Sequence, residues 1–365
     1  MATFRKASFN VASYASSRPT YPHSLFKFIF DFRRRSSPDG SGNGAETSAQ
    51  WERAVDLGCG TGQATLELTP FKHVIGADPS ESMVISAREA LEERRALSSS
   101  PDDDKTRAIT SGATSEKTTT FVRSSAENLR FLENGSVDLV IAAQACHWFD
   151  WSKVWPELGR VLRKGGSVAF WTYSEFRLPA YPHLTPLIEH YAQYTQDPST
   201  SVGGYWQQPG RNILVNHLVE VPEPNKEIFE PLERVYFTGP YFPSLPAAHT
   251  RPIIMRKKMT WIDLLEYLRT WSALHTLKEH HPEDSLHPEG PLEVRFWNSL
   301  RRGAVQGSIG SRAEVGGANG GEVGDRGAQF VHQHDAIDKT VADPESEVDL
   351  EWGVTLILTR KVSGG

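Results

Sequence analysis

The sequence predicts an α/β fold built on a doubly wound, Rossmann-like parallel sheet, and three observations within thirty residues predict it. Val55, Asp56 and Leu57 read as the end of a buried strand, Gly58, Gly60 and Gly62 as a tight turn, and Gln63 to Leu68 as the first turns of a helix. A second apolar run, His73 to Ala77, ends at Asp78. Strand, glycine turn, helix, strand and acid make half of a nucleotide-binding fold, whose ligand lies at the carboxyl ends of the strands.

Each glycine has a physical task here, because a tight turn needs positive φ and a ligand lying on the backbone leaves no room for a Cβ. Asp78, sixteen residues beyond Gly62, is placed to accept hydrogen bonds from a ribose diol. A dinucleotide fold wants G-x-G-x-x-G to seat a pyrophosphate on a helix N-terminus. This loop instead reads Gly58-Cys59-Gly60-Thr61-Gly62 after Asp56. D-x-G-x-G-x-G resembles motif I of class I S-adenosylmethionine (SAM) methyltransferases, where the loop holds the methionine portion of SAM. The resemblance implies a cofactor site that includes Asp56, Gly58, Cys59, Gly60, Gly62 and Asp78.

With 365 residues the chain is long enough for one large or two small domains, and an apolar fraction of 38% implies that part of it is not core. A net charge of -6 without a Lys/Arg block argues against nucleic acid as a partner. Cys59 and Cys146 do not make a disulfide framework, and the N-terminus lacks the apolar core of a signal peptide. No apolar run approaches the length of a membrane span. The expectation is a cytoplasmic protein with no membrane contact and no metal.

The N-terminal region, 1–35, carries Phe9, Tyr14, Arg18, Pro19, Tyr21 and Pro22, followed by a helix from Leu25 to Phe32 ended by a solvated Arg33 to Arg35. The aromatic and proline pattern is either an arm packed on the core or a lid; Y-x-x-x-R-P-x-Y-P resembles the segment that closes over SAM in small-molecule methyltransferases. Ser36 to Ser48, and Ser98 to Thr120 with eleven Ser or Thr in twenty-three residues, lack any apolar period and read as insertions.

The core region, 50–175, continues with a helix from Glu81 to Leu97, a short strand at Phe121 and Val122, the apolar strand Ser136 to Ala143, a helix from Trp151 to Leu162 and a strand from Ser167 to Tyr173. In the methyltransferase pattern the turn Ser125, Ala126, Glu127 meets the adenine, with Ser125 where an Asp is usual; Glu127 is equally readable as a solvated turn residue. The end of the apolar strand brings Gln144 to the cofactor and His147 and Trp148 to the ligand crevice, unless Trp148 is core.

Beyond residue 175 the pattern changes. Region 176–302 holds Tyr205-Trp206-Gln207-Gln208-Pro209-Gly210-Arg211, an alternating Leu232 to Phe237, and a long helix opened by Thr260 as N-cap with Asp263 at the capping-box position, containing Arg269 and Trp271. Gly303 to Gly327 has nine glycines in twenty-five residues, so 303–349 reads as a disordered insertion; 350–365 returns to alternation as a final strand. A class I methyltransferase sheet of seven strands with its last pair antiparallel follows, Leu232 to Phe237 and Val354 to Thr359 being strands six and seven, with a helical cap between them.

S-R-P-x-Y-P at Ser17 to Pro22, the glycine loop, H-W-F-D at His147 to Asp150, Y-W-x-Q-P-G-R at Tyr205 to Arg211 and R-T-W-S-A at Arg269 to Ala273 together resemble the fungal trans-aconitate methyltransferase family. The resemblance implies SAM-dependent esterification of a small polycarboxylic acid. A carboxylate is ionised at neutral pH, so no general base is required. A cationic pocket is required, and Arg suits it because its fork binds carboxylates bidentately. Arg211 and Arg269, then Arg256 and Lys257, are the candidates, each alternatively a surface ion pair; Tyr21, His147, Trp148, Tyr205, Trp206 and Trp271 complete the expected substrate site. Two alternatives remain: a broader small-molecule O- or N-methyltransferase with a neutral substrate and His147 as base, and a non-catalytic SAM-binding scaffold.

Overall fold

In the computed structural model, residues 17–35, 49–98, 117–313 and 340–362 are described. The chain divides into two units, one of residues 1–175, 207–256 and 351–365 and the other of 176–206 and 257–350.

The first unit is organised by β1 (Arg53–Leu57), which is buried from Ala54 onward and pairs in parallel with β2 (His73–Asp78) on one side and β4 (Val137–Ala143) on the other. A strand covered on both faces is apolar throughout, and β4 is buried from Val137 to Ala142. β3 (Thr118–Arg123) lies outside β2, and β5 (Leu162–Arg177) outside β4. The last long strand, β9 (Glu347–Arg360), runs antiparallel to β6 (Glu233–Phe237) with Val235 opposite Leu356. The order β3-β2-β1-β4-β5-β9-β6-β7 is the mixed sheet expected, parallel with an antiparallel pair at the end. It is extended beyond seven strands by the short β7 (Thr250–Arg251) and by β8 (Met255–Thr260), which pairs with β9. The region expected as 176–302 is therefore divided, its residues 207–256 grouping with the sheet.

Several local expectations are corrected. The helix read at Gln63 to Leu68 is only a short 3-10 turn, Thr65–Glu67. Pro70 has no N–H with which to carry a helix on, and the Thr65 hydroxyl donates to Asp56 Oδ2 at 2.7 Å, fastening the turn to β1. Helix α1 (His23–Arg34) does not end in three solvated arginines, because Arg33 is buried. Its guanidinium donates to the Gln50 and Asp138 carbonyls and lies 3.4 Å from the Asp138 carboxylate. Asp138 itself is fully buried on β4 and accepts from the Glu52 and Arg53 backbone N–H groups at 3.0 and 2.8 Å. Helix α2 (Glu81–Ser98) follows β2 as expected.

The second unit is helical, with its own aromatic core. Tyr191 stacks on Phe296 at 3.8 Å, and Trp271 packs against Phe176, Tyr191 and Tyr267. Thr260 caps the helix Trp261–Arg269 in a capping box with Asp263, as the spacing predicts. The helix stops at Thr270, whose hydroxyl donates back to the Tyr267 carbonyl, and Trp271 is extended before a second helix, Ser272–His280. One long helix is thus replaced by two. The insertion expected at 303–349 is narrower: 303–313 finish the helix Leu292–Ala313 and 347–349 begin β9, while 314–339 lie outside the described residues. Residues 1–16 (with Phe9 and Tyr14), 36–48 and 99–116 also lie outside them.

Removing one partner of a buried pair leaves the other charge uncompensated, which costs about 3–5 kcal/mol. Asp138→Ala leaves Arg33 and Arg163 without their shared carboxylate and two backbone N–H groups without their acceptor, so urea denaturation is expected to show a loss of stability of about that size.

Candidate functional site

The site begins where β1 ends. Gly58 and Gly60 have φ of 68° and 54°, in the left-handed region, and a Cβ on Gly58 would come within 2.5 Å of the Ala145 Cβ. Only glycine combines that backbone with that approach. The Gly60 N–H donates to Asp78 Oδ2 at 3.0 Å, and the Ser80 N–H to Oδ1 at 2.8 Å. Asp78 therefore ties the glycine turn to the end of β2.

A cavity of about 360 Å³ opens on this turn, lined by the expected Gly58, Cys59, Gly60 and Asp78, by Ser125, Ala126 and Glu127, and by Gln144, Trp148 and Tyr21. Gln144 has a positive φ of 56°, and its side-chain amide both donates to the Tyr173 carbonyl and accepts from the Tyr173 N–H, at 3.2 and 2.7 Å. That double bond fixes the carboxyl ends of β4 and β5 side by side. Tyr21 meets Trp171 edge-on at 5.3 Å and stands at the cavity wall. Met83, Phe149 and Gln207 also line it and were not expected from the sequence. Gln207 lies inside the Y-W-x-Q-P-G-R stretch, the one available signal.

Two residues expected at the cofactor stand back from the cavity lining, Asp56 and Gly62. Asp56 is fully buried, held by Thr65, with Oδ1 lacking a hydrogen-bond partner. Burial first, with the nearby Asp78 charge adding, pushes its carboxyl up to about 7. Burial likewise raises the thiols of Cys59 and Cys146.

Beside the cavity, His147 is buried and its Nδ1 has no hydrogen-bond partner. Burial and then the Arg211 charge push its imidazole down to about 3, so it is neutral at physiological pH. Arg211 lies on the short helix Gly210–Val215. A Cβ on Gly210 would come within 2.5 Å of the Trp148 ring, so this helix start lies directly against the indole that lines the cavity. The Arg211 guanidinium pairs with the Glu175 carboxylate, and both side chains are 11% exposed. Glu175 was not anticipated; a single acid at a strand end carries no pattern.

The remaining expected substrate residues belong to the second unit. Tyr205 bonds His281 Nε2 at 2.6 Å, Trp206 donates to the Ala192 carbonyl at 2.7 Å, and Trp271 is core. Arg269 pairs with Glu266 at 2.7 Å and lies 3.7 Å from the buried Glu293. Arg256, in the first unit, is an exposed partner of Glu351, and Lys257 carries no contact that singles it out.

A glycine turn, an acid at the end of β2 and a cavity at the carboxyl ends of parallel strands coincide with a match of residues 55–170 to the methyltransferase domain family. Together they mark residues 55–170 as a SAM-dependent methyltransferase domain whose cofactor is S-adenosylmethionine. Among curated proteins it is similar to a probable S-adenosylmethionine-dependent methyltransferase of Saccharomyces cerevisiae, 27% identical over 283 residues, 77% of this chain and 84% of the relative. It is also similar to an uncharacterized methyltransferase of Mycobacterium tuberculosis, 28% identical over 180 residues, 49% of this chain and 56% of that one. A solved structure described as a type II methyltransferase from Anaeromyxobacter dehalogenans superposes with a TM-score of 0.51 at 20% identity, covering 93% of this chain and 97% of that one, a likeness of fold. No helix among the described residues is long and apolar enough to cross a membrane, and no cluster of metal-ligating side chains occurs among them.

Two measurements probe the cofactor end. Asp78→Ala is expected to weaken SAM binding by calorimetry by about 1.5–3 kcal/mol, the worth of hydrogen bonds to a charged group. Asp56 is raised from 3.8 to about 7, so the folded state binds its proton more tightly and loses stability as pH climbs between those values. Asp56→Asn cannot ionise. Its melting temperature relative to wild type is therefore expected to rise from about pH 4 to about pH 7, and a flat difference would show that Asp56 is not held protonated.

Proposed function

We propose that this methyltransferase forms a methyl ester on a small polycarboxylic acid, trans-aconitate being the representative acceptor. The observation that carries the reading is Arg211, a cation only 11% exposed that begins a helix packed on Trp148, which lines the cofactor cavity. In such a place a guanidinium attracts a carboxylate far more strongly than at a surface, where water screens the pair.

S-adenosylmethionine supplies a methyl group already activated on a sulfonium. The backbone of Gly58 and Gly60, with Asp78 and the Ser125 to Glu127 turn, would hold it, and Gln144 would keep the strand ends that support it in register. Trp148, Phe149 and Tyr21 give the cavity aromatic walls that exclude water from the transfer. Arg211 would orient the acid so that a free carboxylate oxygen faces the methyl.

The protonation state of His147 favours an acid over a phenol as acceptor. A carboxylate with a pKa of about 4 needs no base, whereas a phenol near 10 does. An imidazole held down at about 3 is a poor base at pH 7, so it suits an acceptor that needs no proton removed.

The test is turnover with SAM and a panel of di- and tricarboxylic acids, a phenol and an amine, the ester being identified by mass spectrometry. Arg211→Ala is expected to lower kcat/KM for the acids by about 10²-fold, since a charged hydrogen-bonded contact contributes roughly 1.5–3 kcal/mol. Acid turnover unchanged in Arg211→Ala would remove that residue from the substrate site. Methylation confined to the phenol or amine would replace the ester reading with the broader one, and SAM binding without turnover of any acceptor would favour a non-catalytic role.

A further inference from the structure

Arg211 is not a bare anion trap. It is paired with Glu175, at the carboxyl end of β5 two residues past Tyr173, the residue whose backbone Gln144 fixes from both sides. Resting on the reading of Arg211 as the acceptor cation, we infer that Glu175 is a specificity-determining residue of the acceptor site: it occupies the Arg211 guanidinium in the free enzyme and yields it only to a substrate carboxylate with further contacts of its own.

The argument is electrostatic. Both side chains are only 11% exposed, so neither charge is satisfied by water alone and each holds the other in place. A substrate carboxylate reaching Arg211 offers the same two oxygens as Glu175, so the exchange gains nothing at the guanidinium itself. It also brings a second anion beside Glu175, and like charges at such separations repel. Binding therefore has a threshold. A monocarboxylate, which brings only one group, does not cross it; a polycarboxylic acid crosses it through groups held elsewhere. Glu175 makes the cation selective at the expense of affinity.

Other readings of the pair make different demands. If Glu175 were there only for stability, replacing it would weaken the fold and leave anion binding no better. If it contacted a basic acceptor, its loss would abolish turnover of amines. The exchange reading alone requires that anion binding improve when an acid is removed.

The full-length chain with Glu175→Gln is the test, with acetate and trans-aconitate as probes. Acetate is expected to raise the melting temperature of Glu175→Gln while leaving wild type unmoved at the same concentration, and the Kd for trans-aconitate by calorimetry is expected to tighten about tenfold. Adding Arg211→Gln should abolish both gains. Glu175→Asp retains the charge on a shorter reach and folds more readily; it should tighten trans-aconitate by a smaller factor. The inference is overturned if acetate and trans-aconitate bind Glu175→Gln or Glu175→Asp no better than wild type, or if the gain survives in the double variant. Should both variants gain anion affinity while no acid is methylated by any form, the exchange stands and the ester reading fails.

Discussion

The hydrogen bond from the Gly60 N–H to the Asp78 carboxylate is the constraint on which the rest of the site depends. β1 and β2 are already parallel neighbours, but the residues joined at their carboxyl ends lie eighteen apart in sequence. The carboxylate joins those loops at one point and draws in the Ser80 N–H from the far side. With the turn held there, positive φ at Gly58 and Gly60 brings the backbone against Ala145, and the end of β4 becomes the opposite wall. A floor made of main chain has no rotamers to freeze when a ligand arrives, which is how a loop can be pre-organised at small entropic cost.

Behind that floor the parallel strands β1, β2 and β4 each carry a buried acid, managed in different ways. Asp138 is compensated by Arg33 and two backbone N–H groups, and Asp78 by N–H donors at the cavity edge. Asp56 has only the Thr65 hydroxyl, and its carboxyl is raised accordingly. The same residue type near the glycine turn thus holds its proton far more tightly than usual, while the acid on the neighbouring strand lines the cavity. A proton on Asp56 removes a repulsion between the two.

How much of this was legible in the sequence follows from the range of the interactions involved. The glycine turn, Asp78, the parallel strands and the Thr260 capping box are local, each set by a few adjacent residues, and the structure has them where the pattern puts them. The helix read at Gln63 to Leu68 failed because a side-chain bond to Asp56 and a following proline override a short apolar period. Arg33 was read as solvated because its partner lies 105 residues away on β4. The same applies to Glu175, whose meaning comes only from Arg211, and to Gln207, whose place in the cavity lining depends on how a loop after residue 206 returns to the sheet. Of the aromatic motif Tyr205 to Arg211, the first two residues serve the second unit's packing and the last serves the first unit, a split that spacing alone does not reveal.

The charges around His147 bear on the chemistry as a whole. An enzyme that must strip a proton from its acceptor keeps its imidazole near neutrality in pKa, usually with a carboxylate behind it. Here the charged neighbour that lowers His147 is a guanidinium, and the carboxylate of Glu175 is turned to that guanidinium. Such an arrangement spends its electrostatics on recognising charge, not on moving protons. It suits an acceptor that arrives ionised, for which alignment and exclusion of water are the remaining work.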